Sequence, residues 1–271
     1  MTELSVGISL FLSAGTTDNA TLIEPLLDAI EARVWSKPLR NFMSNSVPGR
    51  KIPRRAGMLR LPERREVLRE QLTHPDVHSI TLANAPPTRS GNEYATIFIE
   101  TRKLFEDLFV IVAGRQWLPT LDNGDSWVAA MLHMAEALGA EHGVVTVMST
   151  EAVSTECEFV GITRDGILQH PFPEEFKRMR GEAKRELGKR YVRFPRWGTI
   201  YARHHVEALG GVDGIGEAVQ PAVVRELGSK AWYFQLTASV ATATSAEAVE
   251  KQRRFTELAE PLLPPGGSGP G

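Results

Sequence analysis

Cysteine is almost missing from this chain, since Cys157 is the single one among 271 residues. One cysteine excludes an intrachain disulfide and favours a reducing compartment. Neither sign of charge dominates, because the formal net charge is -2, and such a balance gives no global field to attract nucleic acid or anionic membrane. Long hydrophobic runs are missing too, and the N-terminus lacks the basic region of a signal peptide. These features predict a cytoplasmic protein outside the membrane.

The spacing of the histidines does not match that of known metal sites. His133 and Glu136 lie three residues apart and His142 follows a turn, whereas a zinc helix has two histidines four apart with a Glu between. His204 and His205 are adjacent, and we expect neighbours to point to different faces of their element. We therefore predict structural roles for these histidines and no metal or cofactor.

Other reactive patterns are equally incomplete. His74 and His78 have a four-residue spacing, but Pro75 between them opposes the helix that would make it useful. Cys157 lies between two glutamates, which raise a thiol pKa and disfavour a nucleophile. No Gly-x-Ser-x-Gly elbow occurs. A glycine-rich run lacks the flanking strand and the Lys-Ser or Lys-Thr of a phosphate loop, and we interpret it as a helix stop and turn: Gly210, Gly211, Gly214 and Gly216.

The hydrophobic patterns predict an α+β fold with an antiparallel or mixed sheet flanked by helices. The predicted strands cover 6–13, 78–83, 94–101, 108–114, 144–148, 219–227 and 232–237, with a short strand or helix from Ile200. The predicted helices cover 21–34, 63–72, 126–138, 152–160, 173–190 and 245–263. Two ferredoxin-like halves, 1–150 and 151–263 packed on each other, fit this order. The Pro- and Gly-rich tail 264–271 is predicted to be disordered.

Two basic tracts remain after this assignment. Residues 36–69 form a predicted basic loop or edge, and its part 50–69 is the first tract. Residues 177–196 form the second, with nine basic residues interleaved with or flanked by Phe176, Tyr191, Phe194 and Trp197. Arginine with aromatics suits phosphate contact and base stacking, or an acidic protein partner. A solvated helix followed by an aromatic anchor is the simpler interpretation.

A family resemblance rests on three motifs in the second half of the chain. The first is the run from Phe194 through Trp197-Gly198-Thr199-Ile200-Tyr201 to His205, the second is Leu209-Gly210-Gly211, and the third is 227–237 with the closing helix. With these motifs the chain resembles immunity proteins of bacterial polymorphic and type VI secretion toxins, a group common in myxobacteria. The resemblance covers about the last 80 residues.

The resemblance implies a protein that binds and neutralises a cognate toxin, encoded by an adjacent gene, without being an enzyme. It identifies no toxin-binding residues. Two alternatives stay open. One is a nucleic-acid-binding protein that uses tracts 50–69 and 177–196, although we do not expect nucleic acid as the partner. The other is an enzyme of unrecognised class, for which Asp122, Asp125 and His133 could form a pocket.

Overall fold

A single ten-stranded sheet runs through the described residues of the computed structural model. The structure describes residues 4–13, 24, 27–28, 41–46, 49–52, 56–58, 63–83, 95–100, 108–117, 124–149, 178, 186 and 188–265. The strands are β1 (Leu4–Ser13), β2 (Asn41–Ser46), β3 (Ala56–Met58), β4 (Val77–Ala83), β5 (Ala95–Glu100), β6 (Leu108–Trp117), β7 (His142–Ser149), β8 (Gly198–Ala202), β9 (Val223–Leu227) and β10 (Ala231–Gln235).

The sheet order is β3-β2-β4-β5-β6-β1-β7-β8-β10-β9, and every neighbouring pair is antiparallel. The predicted α+β class is therefore confirmed, with the antiparallel rather than the mixed sheet. The order β7-β1-β6-β5 is that of a ferredoxin-like unit, and it is extended by strands on both sides.

Five helices have described bounds. They are α1 (Arg64–Thr73), α2 (Gly124–Ala137), α3 (Arg203–Ala208), α4 (Gly211–Val219) and α5 (Ala246–Ala259). The predicted helices 63–72, 126–138 and 245–263 are confirmed as α1, α2 and α5, although the last residues of the third form a 3₁₀ turn (Glu260–Leu262). None of the helices in the described ranges is both long and apolar enough to cross a bilayer.

The glycine-rich run departs from the prediction of a simple stop and turn. Gly210 and Gly211 do adopt positive φ, but Gly214 and Gly216 lie inside α4. Glycine has poor helix propensity, so the glycines in this segment argued against a helix in the sequence. Burial of Ile215 and Val219 stabilises it nonetheless.

The basic region 36–69 also departs from the prediction, because β2 and β3 lie where a loop or edge was expected. Phe42 and Ser44 of β2 are buried, and β2 pairs with both β3 and β4. The polar residues of β2 gave no alternating pattern from which to predict a strand. The prediction of a sheet edge is confirmed for β3, which is the outermost strand at one end of the sheet.

Most of the remaining strand predictions are confirmed, but the strand predicted over 219–227 begins only at Val223, because Val219 still belongs to α4. Strands β4, β5 and β6 form the predicted meander. Strands β9 and β10 pair across the turn at Gly228, and β9 lies at the predicted sheet edge, although Pro221 precedes the strand and is not part of it.

Strand β8 joins the sheet by pairing with β7, so the sheet passes from the first predicted half into the second. The buried apolar residues form one cluster that includes Val6 of β1 and Phe255 of α5. The division at residue 150 stays a prediction. The predicted helix 152–160 and residues 266–271 of the tail lie outside the described residues, as do most of the predicted helices 21–34 and 173–190.

Candidate functional site

The segment Trp197–His205, the most distinctive in the sequence, is largely buried and builds β8 and the first turn of α3. The indole Nε1 of Trp197 donates to Thr237 Oγ1 at 2.8 Å, and the Trp197 carbonyl accepts from the Leu236 N–H at 2.9 Å. Tyr201 packs edge-on against Phe255 of α5, with ring centroids 5.6 Å apart. These residues therefore fasten β8 to the sheet and to α5, and most of the motif is structural.

Gly198 begins β8 where a side chain has no room. A Cβ at this position would lie 2.7 Å from Tyr233 Oη and 2.8 Å from Val145 Cβ. The Tyr233 hydroxyl donates to Gln235 Oε1 at 2.9 Å, and burial raises the Tyr233 pKa above its usual range. The Gly198 position in the motif thus allows strands β7, β8 and β10 to pack closely.

His142 connects the sheet to the chain that enters β8. Its Nε2 accepts from the Arg193 N–H at 3.0 Å, so Nε2 carries no proton. The proton of the neutral ring is then on Nδ1, which donates to the Ile200 carbonyl at 3.1 Å. The Tyr201 ring stacks on the His142 ring, with centroids 5.6 Å apart. The Tyr201 hydroxyl donates to the Arg193 carbonyl at 2.9 Å. Both ring nitrogens of His142 are thus hydrogen-bonded to backbone groups.

The structure places His133 and His142 in different surroundings. His133 is exposed on α2, whereas His142 is buried in β7. Glu136 pairs with Arg225 of β9 at 2.8 Å. Across the described ranges, no three His, Cys, Asp or Glu side chains gather as metal ligands would.

His204 and His205 lie together rather than on different faces, which corrects the prediction. Their ring centroids are 3.9 Å apart, and both Nε2 atoms face the Lys189 carbonyl, at 3.3 and 3.1 Å. A carbonyl only accepts, so each Nε2 carries the proton. Both histidines belong to α3, which begins immediately after β8, so the alternating side-chain directions of a strand do not apply to them. Burial, and then His204, lowers the pKa of His205 to about 4, against the opposing effect of the Lys189 carbonyl.

The two histidines hold a tight turn, which we call the 188–191 turn (Gly188, Lys189, Arg190, Tyr191). The carbonyl of Glu186 accepts from the N–H groups of the last three, at 3.1, 3.0 and 3.1 Å. The Gly188 N–H donates to the Tyr191 carbonyl at 2.7 Å, and Gly188 has φ +79°, which glycine tolerates. The guanidinium of Arg190 lies over the Tyr191 ring, 5.1 Å from its centroid.

Lys189 and Arg190 are exposed on this turn. No carboxylate of the described residues lies within ion-pair distance of either side chain. Next to them, His204 is exposed, and Arg203 pairs with Glu226 and lies over the Trp232 ring. The turn therefore presents cations and an aromatic ring on a hydrogen-bonded scaffold.

Comparison with known proteins shows the fold and no more. No protein-family model matches the chain, and no curated protein matches it in sequence. Among solved structures, the Pseudomonas aeruginosa T6SS protein PA0821 is similar, with a TM-score of 0.58 and 14% identity over 99% of this chain and 77% of that one. The two proteins share a fold. T6SS denotes the type VI secretion system.

The second basic tract is only partly a surface. Arg193 and Arg196 are 0% and 3% exposed, so they face the interior. Arg178 pairs with Glu260 at 2.8 Å and lies over the Phe194 ring. A nucleic-acid-binding surface along 177–196, the alternative left open above, would therefore lack these three arginines. The other basic residues before Lys189 lie outside the described residues.

In the first basic tract, the described arginines of α1 are buried or paired, whereas Arg50 lies 4.0 Å from Asp76 and Lys51 is exposed. Arg64 is 4% exposed. Arg65 and Arg69 both donate to the Glu24 carboxylate, which lowers the Glu24 pKa. These contacts hold α1 against the segment that contains Glu24.

Among the other residues considered for chemistry, His74 and Asp125 bind backbone N–H groups. His74 ends α1, and its Nδ1 accepts from the Asp76 N–H at 3.1 Å, whereas His78 lies in β4. Asp125 accepts from the Val240 N–H at 2.8 Å. Asp122 and Cys157 lie outside the described residues.

Sequence reasoning grouped Lys189 and Arg190 with the rest of the basic tract and did not single them out. The residues that position them, His204 and His205, come 15 and 16 positions later. The glycine at 188 before two cations was the one local sign of a turn.

Proposed function

We propose that this chain binds and neutralises a protein toxin of a type VI secretion system, as an immunity protein and not as an enzyme. The observation that carries the proposal is the shared fold with a T6SS protein across 99% of this chain. The motifs at Trp197–His205 and Leu209–Gly211, which resemble those of immunity proteins, add support from the sequence.

The chemistry of the described site supports a binding role. Both ring nitrogens of His142 are bound to backbone, and the pKa of His205 is lowered to about 4 by burial. These groups stabilise the structure around an exposed turn. Such a site can inhibit a toxin by surface complementarity, because inhibition needs no bond to be made or broken.

Nucleic acid as the partner has less support. Of the cations that would follow a phosphate backbone, Arg193 and Arg196 are buried and Arg178 is paired with Glu260. Affinity for nucleic acid rises with the number of phosphates neutralised, and in the described part of this tract Lys189 and Arg190 are the exposed cations without a carboxylate partner.

Co-expression in a sensitive host tests the proposal. The product of the adjacent gene is expressed alone, with this chain, and with an unrelated protein as the control. We expect growth arrest in the first and third cultures and rescue in the second, together with a complex that survives affinity purification. The proposal would be refuted if the adjacent gene product is toxic and this chain neither restores growth of the host nor binds that product.

A further inference from the structure

We propose that the 188–191 turn, with His204 beside it, is a docking surface for an acidic patch on a protein partner. This inference rests on the proposed function, and the partner is then the toxin. The surface consists of the exposed cations Lys189 and Arg190, the half-buried Tyr191 ring and the exposed imidazole of His204.

The charges of this turn differ from those of most of the described surface. Arg65, Arg69, Arg178, Arg225 and most other described surface cations have a carboxylate within 4.0 Å. Lys189 and Arg190 have none among the described residues, although the chain as a whole is slightly acidic. Two adjacent uncompensated cations create a local positive potential, which speeds capture of an acidic partner and restricts partner choice.

The turn is also organised before any partner arrives. Three N–H groups converge on the Glu186 carbonyl, and the Lys189 carbonyl accepts from the two histidine rings. A fixed backbone lowers the entropy lost on binding, so the cations start in place. Arg190 stacked over Tyr191 supplies a rigid arginine and aromatic pair, which is the composition enriched in interface hot spots.

A protein partner fits this surface better than a nucleic acid does. Inward-facing Arg193 and Arg196 interrupt the basic tract immediately after the turn. Among the described residues, the exposed cations Lys189 and Arg190 therefore do not continue after the turn as a track that a strand could follow.

The test uses the double variant Lys189→Glu/Arg190→Glu in the full chain. Both side chains are exposed, so far-UV circular dichroism and Tm are expected to match the unmodified protein. Titration calorimetry with an inactivated form of the adjacent-gene toxin measures affinity at low and high salt. We expect the double variant to bind roughly 10- to 100-fold more weakly at low salt, with the difference shrinking as salt rises.

The matched control is Arg50→Glu/Lys51→Glu, which makes the same change in net charge on exposed residues that follow β2, near the other end of the sheet. It should bind within about twofold of the unmodified protein if the effect is local, because distant surface charges are screened. Equal weakening by both double variants would show a global charge effect and overturn the assignment of the surface.

The outcomes separate the two proposals. If the unmodified chain binds the toxin and Lys189→Glu/Arg190→Glu binds equally well, the docking surface is wrong and the immunity function stands. If the unmodified chain does not bind the toxin, the proposed function fails, and this inference fails with it. Tight binding of a single-stranded oligonucleotide, lost in the same double variant, would reassign the turn to nucleic acid.

Discussion

At the scale of single residues, the buried imidazole of His205 makes the stability of this protein depend on pH. His205 is 2% exposed, and its Nε2 already donates to the Lys189 carbonyl. Its Nδ1 is buried without a hydrogen-bond partner among the described residues. A second proton would therefore be added at Nδ1, where no described group accepts it, beside the ring of His204.

This arrangement predicts a pH dependence with a definite sign. The His205 pKa falls from 6.5 to about 4 on folding, so between these values the unfolded chain takes up a proton that the folded chain does not. Stability therefore falls as pH drops from 6.5 to 4, by up to roughly 3 kcal/mol. Urea unfolding at several pH values measures this, with His205→Gln as the comparison, because the amide can still donate but does not titrate.

We expect the stability difference between the two proteins to shrink as the pH is lowered through that window. Glu250, whose pKa Arg253 and Arg254 lower from 4.5 to about 2, also contributes to the pH dependence below about pH 4.5, but it does so in both proteins and cancels in the difference. A difference that is constant from pH 7 to pH 4 would contradict the account of His205.

Gly198 supplies a second prediction at this scale. Gly198→Ala forces a Cβ against Tyr233 and Val145, which are both buried, and should destabilise the protein by about 1–3 kcal/mol. Gly216→Ala is the matched control, because it lies inside α4 with nothing within 4 Å of its added Cβ. There alanine should be neutral or stabilising by up to about 1 kcal/mol. Equal effects in chemical denaturation would show that close packing at Gly198 is not the cause.

At the scale of elements, α5 begins with a side-chain cap whose removal can be measured. Ser245 Oγ accepts from the Ala248 N–H at 3.2 Å, and α5 buries Phe255 against Tyr201. We expect Ser245→Ala to cost about 1 kcal/mol in thermal or urea unfolding. Ser239→Ala serves as control, since Ser239 precedes a 3₁₀ turn without a side-chain cap. If both variants lose the same stability, the cap is not responsible.

Element patterns also decided how much could be predicted from the sequence. Alternating or β-branched runs such as 144–148 predicted β7, and helical spacing predicted α1, α2 and α5. Strand β2 was missed because its polar residues hide its pattern, and α4 because glycines occupy a helix. Gly188 was a local sign of the 188–191 turn, but the contacts with His204 and His205 that hold it were out of reach, because they join residues 15 or more positions apart.

At the scale of the whole molecule, strand order links the predicted halves. Strand β7 pairs with β1 on one side and β8 on the other, and one apolar cluster extends from β1 to α5. We therefore expect one cooperative unfolding transition rather than two. Hydrogen exchange tests this, because amides of β1 and β10 should share the same free energy of opening. Clearly different values would show that the halves unfold separately.

The central claim is that this fold acts by binding a toxin. Titration of the purified chain with the inactivated adjacent-gene toxin tests it most directly, because the result does not depend on growth conditions. The account predicts a saturable one-to-one complex with a Kd in the nanomolar range, on the order of -12 kcal/mol, that weakens at high salt. Absence of binding by a correctly folded chain would contradict it.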